Sequence, residues 1–173
     1  MSLLGMSLVY VGFVLVINGL WLLDKLVAKD AMIMNYFTGI VTFLNSFYTA
    51  YVDKIIIAGA QGLLFSFTYL WVATNIKRDQ EDQRALGWYC LMVAITAVPS
   101  GILTLIEGTS VMYGPVLAVI WWLWAFLWFL FFLLLGLGMN ITRFTAWALI
   151  GEGVITGIYG FMLFLPQYMP GLF

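Results

Sequence analysis

The sequence predicts an all-α membrane protein, a bundle of six transmembrane helices, from its composition and the spacing of its apolar runs. Of 173 residues, 64% are hydrophobic and only 9% charged, and the mean hydropathy is +1.05. A soluble domain is about 45–50% apolar and about 25% charged, so the solvent of this chain is largely lipid. A helix needs about 20 mainly apolar residues to cross a ~30 Å hydrocarbon core. Six runs have that length: 2–23, 31–52, 55–75, 85–106, 111–135 and 142–165. The breaks between them are short, so residues 1–173 read as a single six-helix domain. A membrane β-barrel requires alternating strands of about ten residues, and that pattern is absent.

Each span carries its own signal. Span 1 has no basic segment or peptidase site before it and reads as a mature span. It places Gly5, Gly12 and Gly19 seven residues apart, a seam for close helix contact, with Asn18 beside it. Span 2 repeats Asn35, Thr38, Thr42, Asn45 and Thr49 at three- and four-residue steps, a polar stripe on one face. Small residues and interhelical hydrogen bonds hold membrane bundles together, which is the plain reading of both features. Span 3 sets Phe65 and Tyr69 one turn apart. In span 4, Pro99 is expected to kink the helix, with Thr96, Ser100 or a neighbouring helix serving the carbonyl it frees.

Span 5 contains "VIWWLWAFLWFLFF", in which Trp121, Trp124 and Trp128 share a face. Trp gathers at membrane–water interfaces, so Trp121 reads as a possible anchor. Trp124 and Trp128 lie deeper, where an indole N–H needs a partner; they face either lipid or an interior slot. In span 6, Glu152 stands about mid-membrane, with only apolar residues, Gly and Thr for seven positions on each side. A carboxylate there is costly, about 2.5–3.5 kcal/mol on insertion scales, and faces a bundle interior or a wet cavity. No Lys or Arg stands at its depth to pair with it, Arg143 lying at the very start of span 6. Either it bonds an Asn or Thr of another span, or it lines a pathway.

Lys25, Lys29, Lys77, Arg78, Arg84 and Arg143 fall in alternate loops, leaving Lys54 alone opposite. The positive-inside rule then places both termini outside the cytoplasm. A net charge of −1 leaves no electrostatic case for nucleic acid. With one cysteine, Cys90, and no His, neither an intrachain disulfide nor the usual metal cage or general base is available. No nucleophile–base pair or phosphate loop stands in the spans, so neither an enzyme nor a cofactor is expected.

Six segments, "YVGFVLVING" (10–19), "MNYFTGIV" (34–41), "GLLFSFTYLWVATN" (62–75), "WYCLMVAITAVP" (88–99), "IWWLWAFLW" (120–128) and "FTAWALIGEGVITG" (144–157), together resemble the UreI/AmiS family. Its members are bacterial urea channels and short-chain amide transporters. The resemblance implies a homohexamer in the bacterial inner (plasma) membrane, each protomer enclosing its own pore. It also implies constrictions of aromatic and leucine side chains with a carboxylate nearby. On matching positions these are Phe65, Tyr69, Trp124, Leu127, Trp128 and Glu152, with Leu8 and Leu15 as further lining and Asn18 as a weaker candidate. Acid-gated members carry a longer, His-bearing outer loop between spans 2 and 3. Here that connection is Asp53-Lys54 and His is absent, so gating of that kind is not expected.

The expected function is passive conduction of urea and small neutral amides. Planar amides can slide between ring faces while polar atoms replace part of their hydration, whereas ions would lose their shells without recompense. The alternative is a proton-coupled secondary transporter of amides with Glu152 as its proton site. A purely structural membrane subunit is a second.

Overall fold

The computed structural model describes residues 3–108 and 112–168. Residues 2, 109, 110 and 111, which begin the first and fifth predicted spans or join the fourth to the fifth, lie outside the described residues. The order is α1 (Leu3–Leu22), α2 (Ala28–Tyr51), α3 (Ile56–Lys77), α4 (Arg84–Glu107), α5 (Leu117–Phe131), α6 (Thr142–Met162) and the single turn α7 (Leu165–Tyr168). The first six follow from apolar runs separated by short breaks, whereas Leu163 and Phe164, both apolar, separate α7 from α6.

Those turns are sharp because one residue after each of the first three helices takes the left-handed conformation: Asp24, Lys54 and Asp79, with φ of 58°, 62° and 46°. A left-handed residue after a helix turns the following N–H back onto an unpaired terminal carbonyl. Lys25 N–H reaches Leu20 O at 2.9 Å, Ile55 N–H reaches Thr49 O at 3.0 Å, and Gln80 N–H reaches Asn75 O at 2.9 Å. Gly138, at φ 67°, does the same beyond α5, where Met139 N–H meets Leu133 O at 3.0 Å.

The predicted fifth span is less uniform than its composition suggested. π-helical turns, Met112–Val116 and Phe132–Gly136, flank α5 at its two ends. Pro115 lies in the first, where its missing N–H breaks the regular ladder. The sixth span stops at Met162 rather than 165, and Pro166, which lacks an N–H, leaves the Met162 carbonyl without its helical donor.

Among the described residues, five helices are long and apolar enough to cross a membrane: α1, α3, α4, the 114–136 helix and α6. The 24 residues of α2 give about 36 Å at 1.5 Å per residue, ample length. Its Asn, Thr and Ser side chains lower its apolarity, yet Asn35, Thr38, Thr42 and Ser46 are buried while Phe37, Ile40, Leu44 and Phe47 are exposed. Its polarity therefore points into the protein and its hydrocarbon out.

The chain divides into two compact units, Met1–Gln80 with Ala146–Phe173, and Glu81–Thr145. In the first, α1 and α6 run antiparallel along the glycine seam. A Cβ added to Gly12 would lie 2.5 Å from Gly157 Cα, one at Gly5 2.9 Å from Gly160 O, and one at Gly19 2.7 Å from Ala146 O. Only glycine permits this approach. In the second unit α4 and α5 form a hairpin closed by Gly87 against Gly136 and by Gly101 against Trp122. α4 continues through Pro99. The Thr96 and Ser100 hydroxyls do not serve the Ile95 carbonyl that Pro99 frees: Thr96 bonds Met92 O and Val93 O, and Ser100 bonds Thr96 O.

Candidate functional site

The nine candidate residues fall into two groups. Leu8, Leu15, Asn18, Phe65, Tyr69 and Glu152 belong to the first unit, Trp124, Leu127 and Trp128 to the second. All nine are buried.

In the first unit the α2 stripe acts as adhesive. Asn18 and Asn35 face each other amide to amide: Asn18 Nδ2 donates to Asn35 Oδ1 at 3.1 Å, and Asn35 Nδ2 donates to Asn18 Oδ1 at 2.6 Å. Thr38 donates to Tyr10 O at 3.2 Å, Asn45 to Ser7 Oγ at 2.9 Å, and Ser66 of α3 to Gly39 O of α2 at 2.9 Å. Both ends of the Asn18 amide are thus engaged in holding α1 to α2. Interhelical bonds of this kind contribute about 0.6–2 kcal/mol each in a membrane.

Glu152 is different. It is 7% exposed, and its Oε2 is buried without a hydrogen-bond partner among the described residues. An unsatisfied buried acceptor costs about 1–3 kcal/mol. The backbone around Glu152 is held by the glycine seam, since a Cβ at Gly153 would lie 2.8 Å from Gly12 O. The carboxyl is therefore held in the interior of a lipid-adapted chain with one oxygen unbonded. Leu8, whose Cβ lies 2.8 Å from a Cβ built on Gly160, belongs to the same α1–α6 contact.

The second unit supplies the rings. Trp121 and Trp124 meet edge to face, with centroids 5.1 Å apart and planes at 84°, a favourable aromatic geometry. Trp121, Trp124, Leu127 and Trp128 are buried, whereas Val119, Trp122, Phe126 and Phe129 on the other faces of α5 are exposed. The candidate tryptophans do not face lipid. Trp121, which its position allowed as an interfacial anchor, is buried with them, and Trp88, Trp122 and Trp147 are the more exposed indoles.

Two residues escaped the sequence reading. Asn35 was seen only as part of a stripe, although it is the partner of Asn18. Thr145 counts in the sequence only as a neighbour of Glu152, seven residues before it, yet its Oγ1 is also buried without a partner among the described residues.

Residues 3–168 match the profile of the AmiS/UreI family transporters. A proposed amidate substrates transporter protein of Mycolicibacterium smegmatis is 41% identical over 157 residues, which is 88% of this chain and 71% of that protein. The acid-activated urea channel of Helicobacter pylori strain J99 is 33% identical over 195 residues, covering 96% of this chain and 100% of the channel. The fold is similar to that of the cryo-electron-microscopy structure of the H. pylori urea channel in its closed state. The TM-score is 0.85 at 32% identity, over 95% of this chain and 98% of that one. The crystal structure of the urea channel from the same organism gives 0.82 at 34% identity, with the same coverage. These relatives are transporters and channels, not enzymes. With its full-length profile match, relatives above 30% identity and a shared membrane-helix fold, the chain belongs to the AmiS/UreI family of transporters.

Proposed function

We propose that the protein is a passive, uncoupled channel for urea and short-chain aliphatic amides, working as a single domain of residues 1–173. In this reading α2 is the sixth span, both termini lie outside the cytoplasm, and six copies assemble in a bacterial inner membrane with one pore each. Phe65, Tyr69, Trp124, Leu127, Trp128 and Glu152 line that pore, with Leu8, Leu15 and Asn18 beside them. The observation that carries the reading is Glu152: a buried carboxyl with an unbonded oxygen, in a segment where such a group has no structural use, suits the N–H groups of a solute shedding water. The named substrates of the relatives, urea and amidates, are the chemistry such an acceptor would recognise.

The channel is open near neutrality. Opening on acidification needs groups that change charge between about pH 5 and pH 8, usually His; the chain has no His, and Glu152, a single pore-lining carboxyl in this reading, would modulate conductance rather than move an external gate. The α2–α3 connection is only residues 52–55, and the H. pylori relative aligns over 195 residues against 173 here. Purified protein in liposomes should pass urea and acetamide down their gradients, at similar rates at about pH 5 and about pH 7.5. A proton-coupled carrier, the alternative use of Glu152, would instead saturate and follow an imposed pH gradient. A rise of about tenfold on acidification without a gradient would contradict the ungated reading, since a change that large requires a titrating gate.

A further inference from the structure

We infer that the hydroxyl of Thr145 is a second hydrogen-bonding station for the solute, on the same helix face as Glu152; this rests on the channel reading above. Hydroxyls in membrane helices ordinarily satisfy themselves. Here Thr42, Ser46, Thr68, Thr74, Ser100 and Thr104 each donate to the carbonyl four residues back, at 2.6–2.9 Å. Thr145 departs from that habit. Its side chain is 0% exposed, its backbone N–H reaches Ile141 O at 2.9 Å, yet its Oγ1 meets no partner. Among the described residues, Thr145 Oγ1 and Glu152 Oε2 are the two buried side-chain polar atoms in that condition.

Both stand on α6, an uninterrupted helix across this stretch. Seven residues are close to two full turns, so the two side chains project from one face, separated by about 10.5 Å along the axis at 1.5 Å per residue. Their chemistry is complementary. A hydroxyl donates to a carbonyl oxygen and also accepts from N–H, while a carboxyl oxygen accepts from N–H. A planar amide or urea presents both kinds of group. Both atoms are buried with their hydrogen-bonding capacity unused, and in the channel reading a passing solute supplies the partner as the side chains move to admit it. A purely structural Thr145 would leave an unpaid desolvation cost that Val, of nearly the same shape, would relieve.

The experiment is urea and acetamide efflux from proteoliposomes, by light scattering, for the parent, Thr145→Val and Thr145→Ser, with thermal unfolding of each in detergent. Thr145→Val should be at least as stable as the parent yet conduct roughly three- to tenfold more slowly, the worth of one hydrogen bond. Thr145→Ser, which keeps the hydroxyl, should keep most of the flux. Parent-like conduction by Thr145→Val overturns the inference, as does an equal loss in Thr145→Ser, which would mark a packing effect. If the parent itself passes neither solute, it is the channel reading that fails.

Discussion

The two compact units join their helices by different means. In the first, helices are joined by amides and hydroxyls that cross between them: Asn18 with Asn35, Thr38 with Tyr10 O, Asn45 with Ser7, Ser66 with Gly39 O. In the second, the Thr96, Ser100 and Thr104 hydroxyls bond carbonyls of their own helix, and rings and glycines make joints between the helices. Trp88 packs on Phe132 with centroids 5.0 Å apart, and the Trp122 indole N–H donates to Val98 O at 3.3 Å beside Gly101. Glu152 stands in the polar unit, the buried tryptophans in the aromatic one. Under the proposed channel reading, Glu152 would replace lost hydration and the buried tryptophans would set a width.

The largest effect should come from closing the backbone contact in the polar unit. Gly12→Leu puts a branched side chain where a single Cβ already lies 2.5 Å from Gly157 Cα. Neither backbone can yield, so the variant should fail to give a monodisperse peak in size-exclusion chromatography. A normal peak would show that α1 and α6 are not held by this seam. Next, Trp124→Ala should cost about 3–5 kcal/mol of stability, the range for removing a buried aromatic. It should also admit bulkier amides relative to urea in liposome flux. Reduced stability with unchanged selectivity would remove Trp124 from the width filter.

A smaller effect probes the amide clamp. Asn35→Leu strands the Asn18 amide and should destabilise by about 1–2 kcal/mol. The double variant Asn18→Leu with Asn35→Leu should recover much of that loss, because removing both partners leaves nothing unsatisfied. A double-mutant cycle on unfolding midpoints measures it, and strict additivity would mean that the two amides are not coupled. The smallest effect concerns the exposed pair Asp82–Arg84, whose ends lie 2.6 Å apart. The hydrogen bond from the Arg84 side chain holds the Asp82 carboxyl down at about 2. A lowered carboxylate contributes above its ordinary pKa and loses that contribution as pH falls through the folded value. Across pH 5 to 8 the pair therefore stays charged, and since exposed pairs contribute little, Asp82→Asn should leave both the unfolding midpoint and its pH dependence in that window unchanged.

Much of this was readable from spacing. A seven-residue glycine repeat implies a groove, and it is one. The three- and four-residue repeat of Asn and Thr in α2 implies an inward face, and Asn35, Thr38 and Thr42 are buried. Period alone could not say which side chain answers which: pairing Asn35 with Asn18 depends on the offset between two helices. Nor could composition distinguish lipid-facing from interior tryptophans in α5, because both are apolar choices. The π-helical turns at 112–116 and 132–136 leave no sequence mark beyond Pro115. Thr145 was hidden for another reason. Threonine in a membrane helix normally bonds its own backbone, so an unbonded one is visible only in coordinates.

The central claim is that Glu152 serves the solute, and the most direct measurement is urea flux through proteoliposomes carrying Glu152→Leu, with Glu152→Gln as its companion. Leu removes every acceptor at that position, whereas Gln keeps the size and one carbonyl oxygen. The account predicts that Glu152→Leu assembles normally and loses most of its flux, while Glu152→Gln retains a substantial part. Parent-like flux in well-assembled Glu152→Leu would contradict it.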